Sequence, residues 1–222
     1  MLKFFFLIFF FISISYSAER TDSAAGFTVI IKSDVKNKNL DKSIIRLRRL
    51  LAHVKEIAPK LYNFGKDKVK IWITDTKWQD TAAAYHPSTM WLLQRGRDPR
   101  LANGIEIINL NDFLQWSVVT DQPMMILHEL VHAYQDQVIG NDNSEILAAF
   151  RNAIAKGKYL KVHYHTMNSI LYTAYARTNH KEYFAEIAEA YFGKNDYYPF
   201  NRKQLKEYDL EGYNLVEKYL VN

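Results

Sequence analysis

The chain has 222 residues, of which 48% are hydrophobic, and it contains no cysteine. A chain of this length and composition can bury a substantial core, and the absence of cysteine excludes disulfides as a source of its stability. Its formal net charge of +5 at pH 7 is too small to indicate a nucleic acid or another polyanion as the partner.

Residues 1–17 have the features of a secretory signal peptide. Lys3 supplies a positive charge, residues 4–14 form an apolar run, and small residues follow as far as Ala18. The apolar run is shorter than the ~20 residues that a membrane-spanning helix needs. We therefore expect the signal to be removed near Ala18, and residues 18–222 to be secreted or to remain within the secretory pathway.

Strand and helix patterns alternate in the first half of the mature chain. Residues 26–34 and 68–75 have the β-branched or alternating character of strands. Between them, apolar residues recur at helical spacing over residues 40–54 and predict an amphipathic helix. Two further strands are predicted, one in "TMWLLQRG", which begins at Thr89, and one over residues 104–110.

Helices dominate the second half of the chain. An apolar helix is predicted over residues 121–138, with Asp121 as its N-cap, and a second helix over residues 144–156. The last strong helical pattern covers residues 180–193. These elements predict a single α+β domain over residues 18–222, in which a small twisted sheet is followed by helices.

The helix predicted over residues 121–138 contains the pattern HExxH at His128, Glu129 and His132. The other residues of this helix are mostly apolar, and a buried polar group without a partner costs about 1–3 kcal/mol. Histidines four residues apart lie about 40° apart around the helix and about 6 Å apart along its axis, so both imidazoles can bind one zinc ion. Glu129 follows the first histidine and can reach a water molecule at that ion, as a general base must.

A third protein ligand would complete such a site, and the sequence excludes one of the known arrangements for it. Position 138 is Val138, which excludes the arrangement with a third histidine six residues after the motif. The remaining candidates are His163, His165, His180, Glu182, Glu186 and Glu189. The glutamates lie on a helix with small and aromatic flanking residues, which favours burial, and a buried carboxylate favours a cation. A metal-free pair of buried histidines is the alternative that the motif leaves open.

Two windows of the sequence resemble the zincin peptidases of the anthrax lethal-factor-like group, which includes secreted Pro-Pro endopeptidases. One window contains "HELVHAYQD", which begins at His128, and the other is "YARTNHKEYFAE", which begins at Tyr175. The resemblance implies a zincin-like metallopeptidase domain, in which a small twisted sheet packs on the HExxH helix and a helical subdomain follows. It also implies Zn²⁺ as the cofactor.

The resemblance also implies a role for individual residues. His128, His132 and Glu182 would bind zinc, Glu129 would be the general base, and Tyr175 would donate a hydrogen bond to the reacting carbonyl oxygen. Two further carboxylates, Glu186 and Asp136, would orient the zinc-binding histidines.

The implied function is that of a secreted zinc-dependent endopeptidase, in which Glu129 assists the attack of zinc-bound water on a peptide bond. We expect the peptide or protein substrate to bind as an added strand at the sheet edge, with residues 104–110 as that edge and Glu106 or Asn109 as contacts. We expect the domain to be a monomer, with neither a nucleic acid nor, after removal of the signal, a membrane as its partner.

Three alternatives differ from this prediction in function. The domain could be a catalytically inactive, zincin-like secreted binding module, although all of the expected catalytic residues are present. It could be an exported basic protein that binds acidic polymers, in which case salt rather than a chelator would abolish binding. It could also be a zinc enzyme that acts on something other than peptides.

Overall fold

The structure, a computed structural model, describes residues 19–76, 81–115 and 122–222. The predicted signal peptide and Asp121 lie outside the described residues. Within them the chain forms an α+β fold with a five-stranded sheet, a two-stranded hairpin and helices along most of the chain. The predicted α+β class is therefore confirmed. None of the helices in the described ranges is both long enough and apolar enough to cross a membrane.

The strands and helices are numbered in chain order. The strands are β1 (Arg20–Ala24), β2 (Phe27–Ile31), β3 (Ile71–Ile73), β4 (Ala83–His86), β5 (Gly104–Ile107), β6 (Val162–Tyr164) and β7 (Met167–Tyr172). The α-helices are α1 (Leu40–Ile57), α2 (Pro59–Lys68), α3 (Thr89–Leu93), α4 (Leu110–Leu114), α5 (Met125–Tyr134), α6 (Ser144–Ala155), α7 (His180–Phe192), α8 (Arg202–Tyr208) and α9 (Leu210–Val216). Turns of 3₁₀-helix occur at Pro99–Leu101 and Tyr175–Arg177, and turns of π-helix at Gln135–Ile139 and Glu217–Val221.

The larger sheet has the strand order β1-β2-β3-β5-β4. Strands β2, β3 and β5 are parallel, whereas the outer strands β1 and β4 run antiparallel to their neighbours. All residues of the central strand β3 are buried, as expected for a parallel strand that is covered on both faces. Helices α1, α2 and α5 share the main core with the Ile71 face of the sheet. On the other face, Leu92 of α3 packs against Trp72.

The prediction of a strand in "TMWLLQRG" is wrong, because Thr89–Leu93 form helix α3. The Ser88 side chain caps this helix by accepting a hydrogen bond from the Trp91 backbone N–H. Its short apolar run is compatible with either a strand or a buried helix, and the N-cap at Ser88 favours the helix.

The prediction that residues 104–110 form the edge of the sheet is also wrong. Strand β5 lies between β3 and β4, so the edge on this side of the sheet is β4, which the sequence pattern did not predict. Glu106 is fully buried beneath the sheet, and Asn109 is the N-cap of α4, where it accepts hydrogen bonds from two backbone N–H groups. Neither side chain is therefore available to a peptide at the edge. The nearly continuous apolar run around Glu106 is typical of an interior strand.

Helices α5 and α7 pack directly against each other. Helix α5 begins at Met125, and at its C-terminal end it continues as the π-helical turn Gln135–Ile139. Helix α7 starts at the N-cap Asn179 and ends at Gly193, where an added Cβ would lie only 2.5 Å from the sulfur of Met124. This close approach fixes the end of α7 against the start of α5.

Candidate metal centre

The two histidines of the HExxH pattern lie side by side on α5 and face α7. The ring centroids of His128 and His132 are 4.6 Å apart, with the ring planes nearly perpendicular. One turn of helix separates the two residues, so the regular backbone of α5 is sufficient to place both imidazoles on one side. The apolar residues on the rest of α5 are buried in the core, which holds the helix in this orientation.

Glu182 of α7 meets both imidazoles. Its Oε2 atom lies 3.0 Å from Nε2 of His128 and 3.1 Å from Nε2 of His132. Burial alone would raise the pKa of Glu182, but its hydrogen bonds to His128 and His132 outweigh burial and hold that pKa well below the usual range. The Asn179 side chain accepts a hydrogen bond from the Glu182 backbone N–H, so the cap of α7 positions the first turn, which carries this carboxylate.

The three side chains fit a zinc ion. Catalytic zinc sites commonly use three protein ligands, including the combination of two histidines and a glutamate, and leave one position open. Ligand atoms 2.0–2.1 Å from a tetrahedral zinc ion lie about 3.3 Å from one another, close to the 3.0 and 3.1 Å measured from Glu182 Oε2 to the two imidazoles. Of the predicted candidates for a third ligand, His163, His165 and His180 belong to none of the potential metal-binding groups found among the described residues.

Glu189 orients His128. Its Oε1 atom lies 2.6 Å from Nδ1 of His128, on the opposite side of the ring from the Nε2 atom that faces Glu182. The resemblance implied this role for Glu186. The structure corrects it, because Glu186 lies near His128 but the hydrogen bond to the ring is made by Glu189. Glu189 is two helical turns after Glu182, on the same face of α7, and this spacing was the signal in the sequence that could have identified it.

Asp136 does not orient a histidine, which is a second correction. Its Oδ2 atom accepts a hydrogen bond of 2.7 Å from the phenol of Tyr85, and Oδ1 accepts one from the Asn141 side chain. The carboxylate therefore connects the end of α5 to the edge strand β4 and to the following loop. Tyr85 lies on β4, the strand that the sequence pattern did not predict, so this partner could not be anticipated.

Glu129 is held next to the potential zinc ligands by the sheet edge. Its Oε2 atom accepts a hydrogen bond of 2.7 Å from the backbone N–H of Tyr85. Burial raises the pKa of the Glu129 carboxyl. A pKa that moves toward neutrality is what a general base at physiological pH requires.

Tyr175 lies on the 3₁₀ turn that precedes α7. Its ring centroid is 6.4 Å from that of His128, and the residue is 49% exposed. Burial raises the pKa of the Tyr175 phenol, so the hydroxyl keeps its proton at neutral pH and can donate a hydrogen bond.

A cleft of about 440 Å³ contains almost all of the predicted site residues. It is lined by Thr81, Ala83, Ala84, Tyr85, Gln122, Met125, His128, Glu129, His132, Tyr175, Glu182, Glu186, Glu189, Asp196 and Tyr197. Asp136 instead lines a smaller neighbouring pocket of about 170 Å³, which shares His132 and Glu182 with the cleft. The edge strand, α5, α7 and the loop after α7 thus surround a single site.

The cleft also contains two buried carboxyls, and the sequence did not predict that they line the same cleft. Glu186 is 4% exposed and Asp196 is 7% exposed. Burial first, and then the charge of Asp196, raise the pKa of Glu186 well above its usual range. Burial and the charge of Glu189 raise the pKa of Asp196 to about 7. Asp196 follows α7 in a loop without a recognisable motif.

Comparison of the chain with protein-family models, with curated proteins and with solved structures finds no significant match. The functional interpretation therefore depends on the arrangement of the residues in this cleft.

Proposed function

We propose that the protein is a secreted zinc-dependent endopeptidase with a zincin-like fold. The observation that carries the proposal is the convergence of His128 and His132 from α5 with Glu182 from α7, whose Oε2 atom lies within 3.1 Å of both imidazoles. Two imidazoles and a carboxylate at such distances, beside a cleft, form the ligand set of a catalytic zinc site. The glutamate of the motif, Glu129, lies in the same cleft and is not one of these three potential ligands.

The proposed reaction is hydrolysis of a peptide bond. Zinc, when bound by His128, His132 and Glu182, supplies Lewis acidity, which polarises a carbonyl group and makes water more acidic. Glu129 accepts a proton from the attacking water and returns it to the nitrogen of the leaving amine. Tyr175 donates a hydrogen bond to the oxygen on which negative charge develops, a contribution of about 3–4 kcal/mol if it resembles other oxyanion donors.

The substrate is proposed to bind along β4. This strand is one of the two outer strands of the sheet, and residues 83–85 line the cleft beside the motif. The Tyr85 N–H group points away from β5 and reaches Glu129, so the outer edge of β4 borders the general base. A peptide added to this edge as a further strand would run past the proposed ligands, with its main-chain groups supplying affinity.

The test combines metal analysis with a peptide-library digest of the purified protein and two variants. We expect the wild type to bind one zinc ion per chain and to cleave peptides. Glu129→Gln should keep zinc and lose cleavage, because it retains the ligands but removes the base. Glu182→Ala should lose both zinc and cleavage. Glu207→Ala, an exposed position on α8, is the matched control and should behave as wild type.

Two results would contradict the proposal. Wild-type zinc affinity in Glu182→Ala would overturn the ligand assignment. Zinc binding by the wild type without any cleavage across the library would favour a zincin-like binding module instead.

A further inference from the structure

One wall of the cleft has more carboxyl groups than the proposed metal centre uses. Glu186, Glu189 and Asp196 all line the cleft, and all three are more than nine-tenths buried. Glu189 is bonded to His128. The Glu186 Oε2 atom and the Asp196 Oδ1 atom, by contrast, are buried and have no hydrogen-bond partner. Within the described residues, no lysine or arginine lines this cleft.

Buried carboxyl oxygens are normally paired, because desolvation of an ionised group is costly when no opposite charge replaces the lost water. Here two such carboxyls line one cleft, and each has a buried oxygen that no hydrogen bond satisfies. A folded protein retains this arrangement most readily where a cationic ligand completes it. Tyr197, which also lines the cleft, offers an aromatic ring that can contact a cation.

We propose that Glu186 and Asp196 form a subsite for a positively charged nitrogen group of the peptide substrate, an ammonium or a guanidinium. This inference rests on the proposed peptidase function and adds a substrate class to it: peptides that place a basic group close to the scissile bond. The two carboxyls, called here the acidic wall, act by binding and positioning the substrate. They do not take part in the proton transfers.

The arrangement suits an organic cation better than a second metal ion. Calcium binds six to eight oxygen ligands, so a calcium site needs several oxygen atoms arranged around one position. Of the two residues of the acidic wall, only Glu186 belongs to a group of side chains that could hold a metal ion. The other members of that group, His128 and Glu189, are hydrogen-bonded to each other. The cleft of about 440 Å³ has room for a long side chain beside the main chain of a peptide.

The test measures binding to a protein that does not cleave, so that it remains informative even if catalysis is absent. The background is zinc-loaded Glu129→Gln, and the probes are blocked peptides that differ only in lysine or norleucine at one central position. We expect the lysine peptides to bind at least about tenfold more tightly, and Asp196→Asn to remove this preference. The affinity for the norleucine peptides should differ by less than about twofold between the proteins with and without Asp196→Asn.

Two controls separate the subsite from other effects. Asp34→Asn makes the same substitution at an exposed carboxyl outside the cleft and should leave the preference for lysine intact. A third peptide, with norleucine and a free amino terminus, distinguishes a terminal ammonium from a side-chain ammonium. If only this peptide gains affinity through Asp196, the group that the subsite recognises is the amino terminus.

The same variants have a second readout in the wild-type background. Cleavage of lysine peptides should fall in Asp196→Asn, mainly through KM, whereas cleavage of norleucine peptides should not change. If no peptide is cleaved but the preference in binding persists, the endopeptidase proposal fails and the cationic subsite stands. Equal binding of lysine and norleucine peptides, with or without Asp196, would overturn the subsite.

Metal analysis completes the test. We expect one zinc ion per chain in both the wild type and Asp196→Asn, with no gain of affinity for calcium alone in either protein. Loss of a second bound ion in Asp196→Asn would show that the acidic wall is a metal site, and would overturn the assignment to an organic cation.

Discussion

Buried carboxyls occur in two regions of this protein, and their surroundings differ. Glu106, on β5, is 0% exposed and is hydrogen-bonded to Thr74, His86 and Arg97. The acidic wall of the cleft, Glu186 and Asp196, is nearly as well buried, but one oxygen of each carboxyl lacks a partner. Both regions therefore bury carboxyl groups, but hydrogen bonds compensate for the burial fully in the first region and only partly in the second.

The pKa values of the two regions move in opposite directions. Burial alone would raise the pKa of Glu106, but its hydrogen bonds to His86, Thr74 and Arg97 outweigh burial and lower it. Burial raises the pKa of Glu186, and the neighbouring carboxylates raise it further. Ionised Glu106 thus stabilises the fold, whereas ionisation of the acidic wall opposes it. A completed buried network indicates a structural role, and an incomplete one beside a cleft indicates a binding role.

The largest effect is expected at the completed network. Glu106→Ala leaves the Arg97 and His86 side chains buried without their carboxylate, which should cost about 3–5 kcal/mol of unfolding free energy. Urea denaturation gives this value directly, and Asp34→Asn should change it by less than about 0.5 kcal/mol. A loss below about 1 kcal/mol in Glu106→Ala would remove the contrast between the two regions.

An intermediate effect is expected within α7, where Glu186 and Glu189 are only three residues apart. Glu189→Gln weakens the hydrogen bond that orients His128 and should lower zinc affinity about 10–100-fold. Glu186→Gln, the matched substitution, leaves that hydrogen bond in place and should have a much smaller effect. Competition with a chromophoric chelator measures both affinities. The reverse ranking would return the orienting role to Glu186.

A third effect, similar in size to the second, is expected at Asp196, and its size depends on pH. The pKa of this carboxyl rises from 3.8 to about 7 in the folded protein. Its protonated form therefore stabilises the fold fully below about pH 4, and this contribution is lost as the pH rises through about 7.

Asparagine does not titrate, so Asp196→Asn should become more stable than the wild type across this interval, by ~1–3 kcal/mol at its upper end. Urea denaturation of both proteins at about pH 4 and about pH 8, with a chelator present, gives the difference. A constant difference between the two proteins at both pH values would mean that folding does not raise the pKa of Asp196, and would contradict an unpartnered buried carboxyl.

The central part of the candidate site could be predicted from the sequence because it depends on helical periodicity. His128 and His132 are one turn apart, and the apolar remainder of their helix fixes which side faces inward. Local spacing was sufficient for these two histidines, because both lie on one helix. The pattern of the helix at residues 180–193 favoured buried glutamates, but the choice of Glu182 among the candidates came from the resemblance to the zincin peptidases.

The surroundings of the site could not be predicted in the same way. The edge strand β4 is a short segment with two alanines, which have little strand preference, so nothing local indicated it. Asp196 enters the cleft from a loop, and Tyr85 meets Asp136 across 51 positions of sequence. Such contacts are set by tertiary packing, which no local pattern encodes. The misplacement of the sheet edge followed directly from missing β4.

Tyr85 joins the sheet to the motif helix at two points, through its amide to Glu129 and through its phenol to Asp136. The nuclear magnetic resonance signal of this one amide is therefore a spectroscopic reporter of the proton on Glu129. Titration of ¹⁵N-labelled protein would follow the ionisation of Glu129 in the resting protein, without a substrate.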